Sequence, residues 1–129
     1  MIPRARLLAE KISSDKLWGF FTTGRIRDVL PDLVDCGSHF IQHFDVLGDC
    51  DLAEVKKTFG NRVCIVGNYN PVILARGSLE DARLEAQRCL DAAMAGGGYV
   101  MSTSDEVPAD ANPDNMKAIV EYVRTHGRY

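Results

Sequence analysis

Three things are scarce in this sequence, and each scarcity closes off a class of function. Basic charge is the first: 15 Lys and Arg face 18 Asp and Glu, a net charge of −3. Nucleic-acid-binding surfaces are normally basic, so no nucleic acid partner is expected, and an anionic membrane surface finds nothing to attract. Long apolar runs are the second. None approaches the roughly 20 residues of a membrane helix, and Met1-Ile2-Pro3-Arg4 carries no signal-peptide core. No membrane association and a cytoplasmic location are the expectations. Clustered cysteines are the third. Cys36, Cys50, Cys64 and Cys89 are scattered without a CxxC pair, whereas zinc and redox motifs need short spacings so that the sulfurs converge. They are expected to be buried or half-buried free thiols. Phosphate loops are missing too: there is no GxGxxG or Walker pattern, and Gly96-Gly97-Gly98 comes before a strand rather than after one.

What is present is an ordinary globular balance. The 129 residues are 46% hydrophobic and 26% charged, enough for one domain with a real core. Residues 3–13 read as a helix with Leu7, Leu8 and Ile12 on one side. Residues 17–22 (LWGFFT) read as a buried strand ending before Gly24. Residues 26–36 look helical, with Pro31 forcing a late start or a kink and Gly37 as the stop. Residues 38–44 (SHFIQHF) are a second strand, and Asp51 caps a helix that Gly60 closes. Residues 63–66 (VCIV) are a third strand; Ser78 and Asp81 open a long helix in a capping-box pattern. Its apolar stripe is Leu79, Ala82, Ala86, Leu90, Ala93 and Met94. Residues 99–102 (YVMS) are a fourth strand, and Asn112-Pro113 opens a last helix that runs to His126 before Gly127.

Strand followed by helix, four times over, implies an α/β fold with parallel strands. Non-alternating apolar strands fit a sheet covered on both faces or closed into a barrel. A small open α/β sheet and one half of an eightfold barrel, which needs about 250 residues in full, suit the pattern equally. In both, chemistry sits at the carboxyl ends of the strands. That rule selects Thr22, Thr23, Gly24, Arg25 and Arg27 after the first strand; His43, Asp45 and Asp49 after the second; Gly67, Asn68, Tyr69, Asn70 and Pro71 after the third; and Ser102 to Glu106 after the fourth.

Two readings fit GNYNP. Amides both donate and accept, so Asn68 and Asn70 can orient a polar substrate beside Tyr69; Asn and Gly are also ordinary turn formers. Asp105 or Glu106 can act as a general acid or base, or lie in a solvated loop. His43, near Asp45, can shuttle protons or be a hydrogen-bonded structural residue. Arg25 and Arg27 can hold a carboxylate or form a surface pair.

The order and spacing of DLAEVKKTFGNRVCIVGNYNP, a long helix, GGGYVMS and VPADANPDNMKAIVEYVR resemble the end of uroporphyrinogen decarboxylase superfamily proteins. A strand ending in G-N-x-[DN]-P and a closing P-x-x-x-x-P-[ED]-N before the last helix are typical of that family. The resemblance runs from about Pro3 to Arg128 and implies the C-terminal half, four β/α units with parallel strands, of a TIM-type (β/α)8 barrel, forming one domain over 1–129. The family includes cofactor-free porphyrinogen decarboxylases of heme biosynthesis and methyltransferases that work with corrinoid proteins, many holding zinc through a His-x-Cys pair and a later Cys. Here the His-x-Cys-Gly position reads Phe21-Thr22-Thr23-Gly24, and the closing Cys position, a His in the decarboxylases, reads Asp105. No metal and no directly bound cofactor are therefore expected.

The resemblance implies a small-molecule substrate held by Asn68, Asn70, Tyr69, Thr23 and His43, with Asp105 as the catalytic carboxylate and a corrinoid carried on a partner protein. Three readings stay open: a methyltransferase-type member, a porphyrinogen decarboxylase with Asp105 in place of His, and a non-catalytic oligomeric fragment. A half-barrel leaves two strand edges and one face bare, so a homo-oligomer, or another chain supplying the N-terminal half-barrel, is expected to cover Phe20, Ile41, Ile65 and Val100.

Overall fold

The computed structural model describes residues 2–12 and 14–128. It contains α1 (Ile2–Ala9), β1 (Gly19–Phe21), α2 (Leu30–Asp35), β2 (Phe40–Gln42), α3 (Leu52–Phe59), β3 (Cys64–Val66), α4 (Pro71–Arg76), α5 (Leu79–Ala93), β4 (Tyr99–Val100) and α6 (Pro113–His126). The strands pair in parallel in the order β1-β2-β3-β4. Among the described residues no helix is long and apolar enough to cross a membrane.

Local chemistry sets most boundaries. Asp51 accepts the backbone N–H of Glu54 at the start of α3, and Ser78 and Asp81 form a reciprocal capping box on α5. Asn112 accepts from Asp114 N–H and precedes Pro113 at the start of α6. Pro31 does delay its helix: α2 starts only at Leu30, with proline in its first turn, and Gly37 takes the left-handed φ of 79° that ends it. The sequence reading of helix α1 reached Ser13, which lies outside the described residues; the helix ends at Ala9. A helix that the reading took for loop is α4. Its six residues are too few to show a period, but Asn70 accepting from Val72 N–H and Pro71 in the first turn announce its start.

The register places Phe20, Ile41, Ile65 and Tyr99 in one row across the sheet. This row faces the helices. Ile41 and Ile65 are 0% exposed and pack with Leu33, Leu52, Val55, Ala86, Cys89 and Leu90. The alternate row is Phe21, Gln42, Val66 and Val100, and its ends are open, with Phe21 59% and Val100 52% exposed. Of the four residues expected on the bare side, Phe20, Ile41 and Ile65 are corrected, since they lie in the row packed on the helical core, while Val100 is open as expected and Phe21 joins it. Side chains alternate along a strand, but strands apolar on both faces give no polar beat from which to read the parity. The core is therefore one-sided, lying between the sheet and a layer in which α5 packs on α3, α4 and α6. The buried side chain of Asn115 pins that layer, donating from Nδ2 to the carbonyls of Leu74 at 3.2 Å and Gly77 at 2.8 Å.

Candidate functional site

All four loops expected to carry chemistry emerge at the carboxyl edge of this sheet. The loop after β1 is held to β2: Thr22 donates its N–H (3.2 Å) and its hydroxyl (2.9 Å) to the carbonyl of Gln42. Thr23 follows it into solvent. His43 donates its N–H to Val66 O at 2.8 Å and has a left-handed φ of 80°, sparsely populated outside glycine. Its ring lies 4.1 Å from that of Phe21, and its Nδ1 is buried without a hydrogen-bond partner among the described residues.

The third and fourth loops run together. Past β3 and β4 the parallel pairing resumes at Tyr69 and Thr103, with Tyr69 N–H donating to Ser102 O at 2.9 Å and Ser104 N–H to Tyr69 O at 2.8 Å. Gly67, at φ 137°, makes the bend, and the Gly67–Asn68 peptide is cis. Asp105 stands exposed beyond this extension, its Oδ1 accepting the N–H of Glu106 at 2.8 Å.

The three residues of GNYNP divide their labour. The Tyr69 hydroxyl donates to Ala82 O at 3.2 Å within the core; burial and then the neighbouring Glu85 push its pKa well above the usual range. Asn70 spends its Oδ1 on the α4 cap. Asn68 is buried, and its Oδ1 and main-chain carbonyl both accept from Arg88, each at 3.1 Å. What Asn68 and Asn70 can still offer a ligand is their Nδ2 donors.

Arg88 and its partner Glu85 were missed by the sequence reading. Glu85 is 8% exposed; its Oε2 accepts Arg88 Nε–H at 2.8 Å, and its Oε1 accepts Arg88 at 2.7 Å and the N–H of Asn70 at 3.0 Å. The bond to Glu85 raises the Arg88 pKa further. The signal was available: Glu85 is a lone carboxylate within the otherwise apolar stripe of α5. A cleft of about 450 Å³ opens beside this pair, lined by Asp49, Cys50, Asn68, Asn70, Glu85 and Arg88. Asp49 is itself committed, accepting from Ile26 N–H at 2.8 Å and Arg27 N–H at 3.1 Å. A larger groove, about 1,110 Å³ and lined by Arg6, Ser38, His39, Arg62 and Gly98 among others, lies at the amino ends of the strands, the stability side of a barrel rather than its chemical side.

Burial raises the Cys50 and Cys89 thiols, each to about 11, with Asp49 adding to the effect at Cys50. The four cysteines are free. Among the described residues no three His, Cys, Asp or Glu side chains converge as metal ligands would, so these residues by themselves do not make up the ligand set of a zinc site.

Four parallel strand–helix units with polar loops gathered at one carboxyl edge define half of a (β/α)8 barrel. The chain belongs to the uroporphyrinogen decarboxylase (URO-D) family, whose model matches residues 1–126. It is similar to a uroporphyrinogen decarboxylase of Chlorobaculum tepidum, 30% identical over 102 residues that cover 74% of this chain and 27% of the relative. It is equally similar to the methylcobamide:CoM methyltransferase MtaA of Methanosarcina barkeri, 31% identical over 98 residues covering 75% and 27%. A solved methyltransferase from Methanosarcina mazei superposes with a TM-score of 0.78 at 22% identity, over 97% of this chain and 35% of that one, which shows the shared fold. The matches thus span only about a quarter of the curated relatives' length.

Proposed function

We propose that the chain supplies one side of a methyltransferase-type pocket, in which a small methylated molecule is held at the carboxyl mouth of the sheet and its methyl group is exchanged with a corrinoid on a partner protein. Charge is the observation that carries this. The mouth presents Thr23, Asn68 and Asn70, which are uncharged, the imidazole of His43 and the exposed carboxylate of Asp105. Of the nearby arginines, Arg27 pairs with Glu54 at 3.1 Å and Arg88 with Glu85 at 2.7 Å, while Arg25, with its side chain 86% exposed, only approaches Asp49 at 3.8 Å. A substrate rich in carboxylates needs free cations to bind it; a small neutral or cationic one does not. Asn68 and Asn70 orient it through their Nδ2 donors, while Tyr69 holds the loop. Asp105 takes up or returns the proton of the methyl-accepting group.

The test is loss of the methyl group from methylcobalamin in the presence of a small neutral thiol such as 2-mercaptoethanol, followed by corrinoid absorbance. Wild type is expected to exceed the protein-free rate, and Asp105→Ala to fall by at least about tenfold, the lower side of what a positioned proton-transfer group contributes. No rate above background, or an unchanged variant, defeats this reading. The decarboxylase relatives keep a second reading in play, in which Asp105 replaces the decarboxylase His. Product analysis after incubation with uroporphyrinogen decides it.

A further inference from the structure

The loops after β2 and β3 part over the cleft of about 450 Å³, a size that holds small molecules. β2 and β3 are the two inner strands, each paired on both sides, so no wall of the cleft belongs to an edge of the sheet. One wall is the segment from Asp49 to Asp51 that leads into α3. The other is Asn68 and Asn70 at the end of β3, with Glu85 and Arg88 of α5. Asn68 is 4% exposed and its Oδ1 accepts from Arg88, yet its Nδ2 donates to nothing among the described residues and is not sealed from solvent. A buried amide ordinarily has both its ends hydrogen-bonded, so this half-satisfied one points to a ligand.

Two more donors on that wall are open. Asn70 holds the α4 cap through Oδ1 and leaves Nδ2 without a partner among the described residues. Arg88 uses Nε and Nη2 and leaves Nη1. The facing wall offers acceptors: Asp51 takes the Glu54 N–H on Oδ1 and keeps Oδ2 unpaired among the described residues, and Asp49 Oδ2 has only Arg25 at 3.8 Å. An anion in the cleft meets three carboxylates and a single guanidinium that Glu85 already neutralises. A cation carries no acceptor and leaves all three donors unpaired. We propose that the cleft binds a carboxamide, whose carbonyl oxygen accepts from the Asn68, Asn70 and Arg88 donors while its NH2 donates to Asp51 and Asp49.

This deepens the function proposed above and rests on that reading only for calling the ligand a substrate: the methylated molecule then carries an uncharged amide, gripped by the cleft. Selectivity comes from pairing rather than from charge. A site whose donors and acceptors are satisfied by one group rejects analogues that lack either half of it.

Probes of one size decide it: propionamide, propionate, propylamine and alanine, which are neutral, anionic, cationic and zwitterionic at neutral pH. Each is titrated into the isotope-labelled chain while nuclear magnetic resonance follows the side-chain NH2 signals of Asn68 and Asn70, identified by their loss in Asn68→Asp and Asn70→Asp. Propionamide is expected to shift both signals and to bind at least about tenfold more tightly than the other probes, within what an unpaired buried donor costs. Each substitution keeps the oxygen that Arg88 or the Val72 N–H uses and loses only Nδ2. The circular dichroism spectrum should therefore stay that of wild type while propionamide binding weakens by at least about fivefold. Unmoved Asn68 and Asn70 signals, tighter binding of any other probe, or variants that bind propionamide as well as wild type each overturn the proposal. The probe comparison on wild type needs no variant, so a variant that fails to fold does not rescue it. None of these readouts uses methyl transfer: amide binding without demethylation of the corrinoid defeats the proposed function alone, and demethylation without amide binding defeats the cleft assignment alone.

Discussion

Replacing Arg88 by alanine tests whether the Glu85–Arg88 pair is what holds the GNYNP loop. Glu85 is nearly buried and accepts three hydrogen bonds, two of them from Arg88. Arg88→Ala leaves that carboxylate with the Asn70 N–H alone and removes the guanidinium nitrogen that donates to both oxygens of Asn68. Stripping one partner from a fully buried pair costs about 3–5 kcal/mol. Here the Arg88 side chain is 43% exposed, so water screens its end of the pair and can partly replace it, and the expected cost falls to about 2 kcal/mol. For 129 residues that corresponds to a melting temperature lower by about 7 °C. Urea unfolding and calorimetry at one fixed protein concentration measure it, since any association shifts the apparent stability. Arg88→Lys keeps the charge but not the fork and should recover less than half of the loss. The double variant Arg88→Ala/Glu85→Leu should be more stable than Arg88→Ala, because it no longer buries an orphaned carboxylate. An Arg88→Ala loss below about 0.5 kcal/mol, the scatter of ordinary surface changes, or a double variant less stable than Arg88→Ala, refutes the reasoning.

Acid stability should report two carboxylates. Burial works to raise Asp49, but the N–H groups of Arg27 and Ile26 outweigh it and hold its pKa below the ordinary 3.8; the Ser78 hydroxyl and N–H lower Asp81. A carboxylate with a lower pKa folded than unfolded adds stability above its unfolded value and loses it as pH falls through the folded one. Urea midpoints should therefore drop below about pH 4, and Asp49→Asn should flatten that limb while lowering the midpoint at neutral pH; parallel curves count against it. Cys50 and Cys89, with thiols at about 11, should be alkylated at pH 8 far more slowly in the native protein than in urea, where an ordinary thiol pKa returns. Equal rates at either residue, resolved by peptide mapping, contradict the burial described.

The elements that punctuate themselves could be read without a structure. The α5 capping box, the Asp51 and Asn112 caps and the Gly37 stop each depend on neighbours within a few residues, and all stand where the sequence puts them. The inward and outward rows of the sheet could not be read, because strands like CIV and GFF are apolar at every position and their parity is decided by the helices across the core. The same holds for the site. Spacing brought Asn68, Tyr69 and Asn70 to a strand end, and the Asn70 cap is local, but the core hydroxyl bond of Tyr69 and the arginine 20 residues from Asn68 depend on the tertiary packing of α5. Only the isolated charge of Glu85 on an apolar stripe hinted at it.

The resumed pairing of Tyr69 with Thr103 has a mechanical consequence. Because Tyr69 N–H holds Ser102 O and Ser104 N–H holds Tyr69 O, the two loops that carry Asn68, Asn70 and Asp105 are fastened to each other rather than to the loops after β1 and β2. They form one jaw of the mouth, stiffened from behind by Glu85 and Arg88, while the Phe21–His43 ring contact braces the other.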